Sequence, residues 1–283
     1  MPVAIVSDTC HYLSRKLVDE YGVHEVSLYV HRAGHAERES EITDYNAYYT
    51  GLRDTSELPT TSQPSIGDFL AVYEPLLDAG HEIVSVHLAG GMSGTVRSAE
   101  QAREQLDTRA DRVHVVDSAT ACGGQGLVVL AAAGAARDGA DAAAVVERAH
   151  RARAQLKLWF AIDTLEYLRR GGRIGGAQAW LGSALKIKPI LTVESEITPI
   201  ERVRTSRRAF ERLVDLLRTC KEDGSDAWVV QHIQARDQAN ELRARGVEIF
   251  GCEPTIDSEV GPVIGTHVGP GLLGAGGIPK ALI

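Results

Sequence analysis

The chain has 283 residues, 44% of them apolar, which is enough for a substantial hydrophobic core in each of two domains. Its 30 basic and 38 acidic residues give a formal net charge of −8, which excludes a general electrostatic attraction to nucleic acid or to an anionic membrane. The four cysteines stand far apart, with no CxxC pair and no zinc-ligand spacing, so we expect reduced thiols and no metal site.

The first residues are strand-like, with no basic segment followed by an apolar one, and no run of about 18 apolar residues occurs in the chain. We therefore expect a cytoplasmic protein that is neither exported nor membrane-spanning.

In the N-terminal half, β-branched segments alternate with helical patterns. Strands are predicted at 3–6, 82–88 and 112–116. A helix that begins at Ile66 and a nearly all-apolar helix over 124–137 should cover them. Strands joined by crossover helices predict a parallel sheet.

The C-terminal half has a different pattern, with a predicted hairpin at 192–198 that an antiparallel pair permits. The fold class is therefore α/β with two domains: a parallel-sheet α/β/α domain over 1–155, and a smaller α+β domain with a mixed or antiparallel sheet over 156–283. Strands of the second domain are predicted at 157–162, 189–193, 198–203, 227–231, 247–252 and 262–266.

Two polar loops of the first domain lie at predicted helix N-termini. Thr61 and Ser62 come just before a helix that Ser65 and Asp68 cap, and the segment 93–95 (Ser-Gly-Thr) opens another helix after a strand. Free backbone N–H groups, hydroxyls and a helix dipole converge in such loops, which predicts an anion site at the carboxyl edge of the sheet. The alternative is that these hydroxyls only cap helices.

Familiar catalytic motifs are missing from these loops. The segment 91–95 (Gly-Met-Ser-Gly-Thr) ends in threonine where a nucleophile elbow has glycine, and the P-loop lysine is absent. The sequence therefore supports neither a hydrolase nor a P-loop kinase.

Arginines beside glycines in the C-terminal half suit a phosphate group. The candidates are Arg170, Arg173 and Arg202, with His267 in a turn bounded by glycine and proline. A solvent-exposed helix face interleaved with glutamates is the alternative for four further arginines, Arg204, Arg207, Arg208 and Arg212.

Several short polar or glycine-containing segments occur along the whole chain. They are Ser7-Asp8-Thr9, Thr61-Ser62-Gln63-Pro64-Ser65, Ser93-Gly94-Thr95 with Ser98-Ala99, Asp117-Ser118, Leu168-Arg169-Arg170-Gly171-Gly172-Arg173, Lys188-Pro189-Ile190-Leu191 and His267-Val268-Gly269-Pro270-Gly271. Taken together and in this order, these segments resemble those of the DegV family nearly from end to end. The Thr-Ser-x-Pro-Ser and Arg-Gly-Gly-Arg segments are the most specific.

The resemblance implies a fatty acid-binding subunit of a bacterial fatty acid kinase, with the acyl chain buried between the domains and no cofactor. The kinase would be a separate ATP-using subunit, membrane contact would be peripheral and transient, and a monomer is expected because the kinase must reach the ligand. The implied carboxylate site is Thr61, Ser62, Ser93, Gly94 and Thr95. The implied kinase-facing residues are Arg170, Arg173, Arg202 and His267.

Three other functions stay open at this point. Ser93 activated by His267 would make an acyl hydrolase. A lipid storage or transfer protein would use the same carboxylate site and never meet a kinase. A binding module for phosphorylated sugars or dihydroxyacetone-type ligands is the third, because the N-terminal fold is similar to that of dihydroxyacetone kinases.

Overall fold

The computed structural model describes residues 1–55, 57–182 and 187–283. Its strands are β1 (Val3–Asp8), β2 (Val23–Val26), β3 (Tyr29–Arg32), β4 (His35–Arg38), β5 (Thr60–Ser62), β6 (Glu82–His87), β7 (Val113–Asp117), β8 (Lys157–Ala161), β9 (Lys188–Glu194), β10 (Glu196–Val203), β11 (Ala227–His232), β12 (Ile256–Glu259) and β13 (Leu273–Ile278). Its helices are α1 (Arg15–Tyr21), α2 (Tyr45–Asp54), α3 (Ile66–Asp78), α4 (Thr95–Glu104), α5 (Cys122–Arg137), α6 (Ala142–Gln155), α7 (Glu166–Arg170), α8 (Ser206–Glu222), α9 (Arg236–Phe250) and α10 (Pro262–Val268).

The N-terminal sheet has the order β2-β1-β6-β7, and every neighbouring pair in it is parallel. Helices α3 and α4 pack on one face, where Phe69 and Tyr73 meet Ile83 in the core. Helices α5 and α6 cover the other face, and Leu127 packs there with Val84. The predicted parallel sheet between helical layers is confirmed.

The second sheet is mixed, with the order β10-β9-β8-β13-β11-β12. The pair β11 and β12 is parallel, whereas the other neighbours, including the predicted hairpin β9 and β10, are antiparallel. Helices α8 and α9 cover one face of this sheet through a core that contains Trp228 and Leu213. The expected mixed sheet is confirmed.

Helix α5 lies between the two sheets. Its residues from Gly123 to Ala135 are buried, and it contacts β1 and β6 of the first sheet as well as β11 and β13 of the second. The backbone N–H of Gly123 donates to Gln231 Oε1 at 2.5 Å, which joins the helix to β11. The domain boundary near residue 155 stays a prediction; the chain passes there from α6 to β8.

A small third sheet, with the order β4-β3-β5, was not predicted. Its strands have three or four residues each, too few for an alternating pattern to be distinct. In it Thr61 pairs with Val30, which fixes the position of the Thr61 backbone.

Two of the predicted C-terminal strands are wrong. The segment 247–252 belongs to the end of α9, whose buried residues Ala239, Leu242, Gly246 and Phe250 recur at helical spacing. The segment 262–266 belongs to α10, where Pro262 occupies the first turn, a position that proline favours. Among the described residues, no helix has both the length and the apolar character needed to span a membrane.

Strand β13 was missed. It contains Gly274, Gly276 and Gly277, and glycine has low strand propensity. The strand forms because it lies in the centre of the sheet and is buried on both faces. This burial depends on the rest of the fold, and it outweighs the low strand propensity of the glycines.

Candidate functional site

A cavity of about 930 Å³, a volume that includes its open mouth, lies between α5, α10 and the second sheet. Most of its lining is apolar, and the main aliphatic and aromatic contributors are Leu28, Leu88, Leu158, Phe160, Leu168, Val193, Ile197, Val229, Val260, Val263, Ile264, Val268 and Leu272. Such a lining suits an extended hydrocarbon chain.

Polar side chains also line the cavity, and several of them come from segments far apart in the sequence. The predicted site residues in the lining are Thr61, Ser62, Ser93, Arg173 and His267. Two open grooves adjoin this polar end, one beside Ser93 and Gly94 and one beside Thr61 and Arg170. The structure therefore combines a polar mouth with an apolar interior.

Thr61 and His267 form a direct pair at the mouth, with 2.7 Å between Thr61 Oγ1 and His267 Nε2. Burial and the positive charge of Arg173 lower the pKa of His267 to about 4, so the ring is neutral near pH 7. Its Nδ1 atom is buried without a hydrogen-bond partner among the described residues, and it faces Gly171, where a Cβ would lie 2.4 Å away. Glycine at 171 thus leaves the room that the ring occupies.

The position of His267 depends on a buried carboxylate at the start of α10. Glu39 Oε1 accepts hydrogen bonds from the Val263 backbone N–H and from the Tyr12 hydroxyl, both at 2.8 Å. Glu39 Oε2 accepts from the Thr9 hydroxyl at 2.6 Å. Burial raises the pKa of Glu39, although these hydrogen bonds act in the opposite direction. Glu39 thereby ties α10 to the N-terminal domain.

Ser93, Gly94 and Thr95 form the start of α4. The Ser93 and Thr95 hydroxyl oxygens lie 2.8 Å apart, and the Thr95 N–H donates to Ser93 Oγ at 3.3 Å. Thr95 is completely buried, whereas Ser93 lines the cavity. The hydrogen bonds from Thr95 therefore hold the Ser93 side chain in position from the protein interior. Gly94 is the N-cap residue, and a Cβ there would come within 2.9 Å of Gln63 Nε2.

The arginines of the Arg-Gly-Gly-Arg segment have different positions. Arg173 lines the cavity, donating from Nε to the Met92 carbonyl at 3.3 Å and from Nη1 to the Gly171 carbonyl at 2.8 Å. Arg170 lines the outer groove together with Thr61 and His267. Arg169 pairs instead with Glu166 at 2.7 Å on the exposed side of α7.

Arg202 is separate from this group. Its guanidinium lies 5.3 Å from the centre of the Trp180 ring, and it is not among the described residues that line the cavity. Within α8, Arg207 pairs with Glu211 at 2.8 Å, as a solvent-exposed helix face would. Arg212 of α8 pairs instead with Glu201 of β10 at 2.7 Å.

Comparisons with known proteins give the same family as the sequence motifs. A family model described as "Uncharacterised protein, DegV family" matches residues 2–280. The chain belongs to the DegV family. Protein DegV of Bacillus subtilis is 34% identical over 280 residues, which cover 97% of this chain and 98% of that protein.

Solved structures of other DegV family members have the same two-domain fold. A fatty acid-binding DegV family protein from Thermus thermophilus gives a TM-score of 0.88 at 34% identity, covering 99% of this chain and all of the other. DegV from Bacillus subtilis, described as a fatty acid-binding protein, gives 0.87 at 31% identity, again with 99% of this chain and all of the other covered.

The cavity of this DegV family chain also has lining residues that the sequence analysis missed. Gln63 lies within the segment Thr61-Ser62-Gln63-Pro64-Ser65, so its position beside Thr61 and Ser62 could have indicated that it also lines the cavity. No sequence motif pointed to Gln231 or Cys122, because only strand pairing and helix packing bring these two residues to the cavity. Burial raises the pKa of the Cys122 thiol, which therefore acts as a small apolar side chain.

A buried polar network near the mouth was missed as well. Asp8 is fully buried, and its Oδ2 accepts from the Leu88 N–H at 2.9 Å and lies 3.1 Å from His87 Nδ1. Burial alone would raise the pKa of Asp8, but hydrogen bonds from His87, Gln125 and the Leu88 N–H, together with the charge interaction with His87, outweigh it and the pKa is lowered. This network joins the carboxyl ends of β1 and β6, and so positions Leu88 in the cavity lining.

Proposed function

We propose that this protein binds one long-chain fatty acid, with the acyl chain in the apolar cavity and the carboxylate at Thr61 and Ser93. The observation that carries the proposal is the combination of an apolar interior with a mouth that contains hydroxyls, Arg173 and a neutral His267. The descriptions of the Thermus thermophilus and Bacillus subtilis structures as fatty acid-binding proteins support it.

The apolar interior supplies the affinity in this proposal. Each buried methylene contributes roughly 0.8 kcal/mol, so a chain of about sixteen carbons gives on the order of 10 kcal/mol before the cost of association. A buried carboxylate without partners would take up a proton. Hydrogen bonds to a charged group contribute roughly 1.5–3 kcal/mol each, enough to keep the carboxylate ionised.

His267 orients the Thr61 hydroxyl toward the ligand. A neutral ring with its hydrogen on Nε2 donates to Thr61 Oγ1, which leaves the hydroxyl hydrogen of Thr61 for the carboxylate. Ser93 is arranged in the same way. Its Oγ accepts a hydrogen bond from the Thr95 hydroxyl or backbone N–H, so its own hydroxyl hydrogen can be donated to the carboxylate. Ser93 and Thr61 thus act as two donors to one anion.

The contacts of Ser93 disfavour an acyl hydrolase. The hydroxyl of Ser93 pairs with Thr95, and the Nε2 atom of His267 pairs with Thr61. A nucleophilic serine needs a hydrogen bond to its general base, and here each residue has another partner. Binding without hydrolysis is therefore the function that the geometry supports best.

The finer part of the proposal is that a separate ATP-dependent kinase subunit acts on the bound fatty acid. A carboxylate oxygen attacks the γ-phosphorus of ATP, the bond from that phosphorus to the bridging oxygen of ADP breaks, and acyl phosphate and ADP result. Negative charge accumulates on the transferring group, which Arg170 and Arg173 would offset beside the mouth. Arg202, which lies apart from the mouth, would belong to the surface on which the kinase docks. A neutral His267 would act there by hydrogen bonding.

The binding proposal is tested by mass spectrometry of an organic extract from protein purified from a bacterial host. Wild type should carry about one fatty acid of roughly 14 to 18 carbons per chain, and the double variant Thr61→Val/Ser93→Ala should have lost it. Thr219→Val, on the exposed surface of α8, is the matched control and should retain the lipid. Absence of fatty acid from wild type, or equal amounts in the double variant, would contradict the proposed site.

The kinase step is tested with the loaded protein, a purified catalytic subunit of a bacterial fatty acid kinase, and ATP with Mg²⁺. Release of ADP that depends on the loaded protein supports the carrier role. Arg202→Ala should retain fatty acid but slow this release, whereas Arg204→Ala, at an exposed neighbouring position, should not. A storage or transfer protein would give no release with wild type.

A further inference from the structure

One face of the second sheet forms the floor of the cavity. Side chains alternate between the faces of a strand, so Phe160, Gly274 and Gln231 lie in one row across β8, β13 and β11. The next row on the same face contains Leu158 and Val229, on either side of Gly276. All of these except Gly276 line the cavity.

The two rows differ in their distance from the polar mouth. Strand β13 begins soon after α10, which carries His267, and the chain leaves the Ala161 end of β8 toward α7 and then Arg173. The row of Gly274 is therefore nearer the mouth. At roughly 3.3 Å per residue, the row of Leu158 and Val229 lies about 6–7 Å farther in. Gly274 thus stands between the mouth and the inner end.

The surroundings of Gly274 do not require a glycine. A Cβ at Gly276 would lie 2.1 Å from the Lys157 carbonyl oxygen, and one at Gly277 would lie 2.8 Å from the Ala227 carbonyl oxygen. A Cβ at Gly274 would meet its nearest neighbour, the Phe160 Cβ, at 3.4 Å, an ordinary contact. The space above Gly274 belongs to the cavity.

Glycine weakens the interior of a strand, and it often marks a place where a ligand approaches the backbone. We propose that Gly274 determines which acyl chains the cavity accepts, by leaving open the passage from the mouth to the inner row of Leu158 and Val229. This inference rests on the proposed binding of a fatty acid. The ligands it specifies are chains long enough to pass Gly274, and a side chain at this position would restrict the cavity to shorter ones.

The test is a competition experiment on delipidated protein. Wild type, Gly274→Ala and Gly274→Val are each given an equimolar mixture of tetradecanoic and octadecanoic acids, and the bound ratio is measured by mass spectrometry. Gly274→Val should lower the ratio of the longer to the shorter acid roughly tenfold or more, the scale on which small steric changes alter selection in apolar pockets. Gly274→Ala should change it in the same direction by less.

Two further variants serve as controls. Gly51→Ala adds a methyl group on the exposed surface of α2, where no heavy atom lies within 4 Å among the described residues, and should leave the ratio unchanged. Leu158→Ala enlarges the inner end and should raise the ratio. If Gly274→Val fails to fold, as judged by thermal unfolding, Gly274→Ala and Leu158→Ala decide the outcome.

The outcomes separate this inference from the proposed function. Wild type that binds neither acid contradicts the proposed function itself. Wild type that binds both acids, together with Gly274 variants that show the wild-type ratio, overturns the role of Gly274 and leaves fatty acid binding intact.

Discussion

Thr61 and His267 are 206 residues apart in the sequence, yet Thr61 Oγ1 lies 2.7 Å from His267 Nε2. The pair joins β5 of the small third sheet to α10 of the C-terminal half, at the polar mouth of the cavity. Its geometry depends on contacts that hold each partner separately, so substitutions outside the mouth should alter it.

The first prediction concerns the protonation of His267. In delipidated protein the ring should titrate with a midpoint near pH 4, because burial and Arg173 lower its pKa to about 4. NMR of the ring Cε1 proton would measure this midpoint. A midpoint near 6.5, the usual value for histidine, would contradict the prediction.

The same shift has a consequence for stability. The unfolded chain takes up a proton on His267 as the pH falls below about 6.5, while the folded chain does so near 4, so wild type loses stability across this interval. Relative to wild type, His267→Asn should therefore gain stability as the pH falls from 6.5 to 4, as chemical denaturation would show. Thr219→Val, on the exposed surface of α8, removes no titratable group and should show a constant difference.

The second prediction concerns Glu39, which holds the start of α10. Glu39→Ala leaves the Val263 N–H and two buried hydroxyls without their acceptor, so the free energy of unfolding should fall by roughly 2–5 kcal/mol. Fatty acid should also bind more weakly, since α10 carries His267. Glu37→Ala, on exposed β4, is the control, and an equal loss of stability in both variants would contradict the role of Glu39.

The third prediction compares two glycines that both have a positive φ. Gly139 has a φ of +84° with open space around it, whereas Gly269 has a φ of +78° and its Cβ would lie 2.2 Å from the Tyr167 ring. Gly139→Ala should cost about 1 kcal/mol of unfolding free energy through backbone strain alone. Gly269→Ala should cost clearly more, because Tyr167 must also move and because the ψ of 171° at Gly269 places its backbone in a region that only glycine adopts readily. Equal losses in thermal or chemical unfolding would contradict the extra cost expected at Gly269.

The fourth prediction concerns the support of Ser93. Thr95→Val removes the hydroxyl 2.8 Å from Ser93 Oγ and keeps the shape of the side chain. Losing one hydrogen bond of roughly 0.5–1.5 kcal/mol should weaken fatty acid binding about two- to tenfold, as measured by displacement of a fluorescent fatty acid. Thr219→Val on α8 should bind as wild type does, and wild-type affinity in Thr95→Val would rule out the supporting role.

Features that depend on neighbours in the chain could be predicted from local patterns of residues. The capping box of Ser65 and Asp68 is present at the start of α3, and Asp141 caps α6, because these hydrogen bonds span only three residues. Strands β1, β6 and β7 were predictable from runs of buried β-branched residues, which a parallel sheet requires. The motifs were also sufficient to identify the DegV family.

Features that depend on contacts between distant segments could not be predicted in this way. Segment 262–266 looks extended, but Glu39 accepts the Val263 N–H and helps to fix it as the helix α10. Gly274 lowers local strand propensity, yet it lies in a central strand between β8 and β11. The pairing of Thr61 with His267 and the open floor at Gly274 arise where separate elements meet, so no pattern within a short window of sequence could specify them.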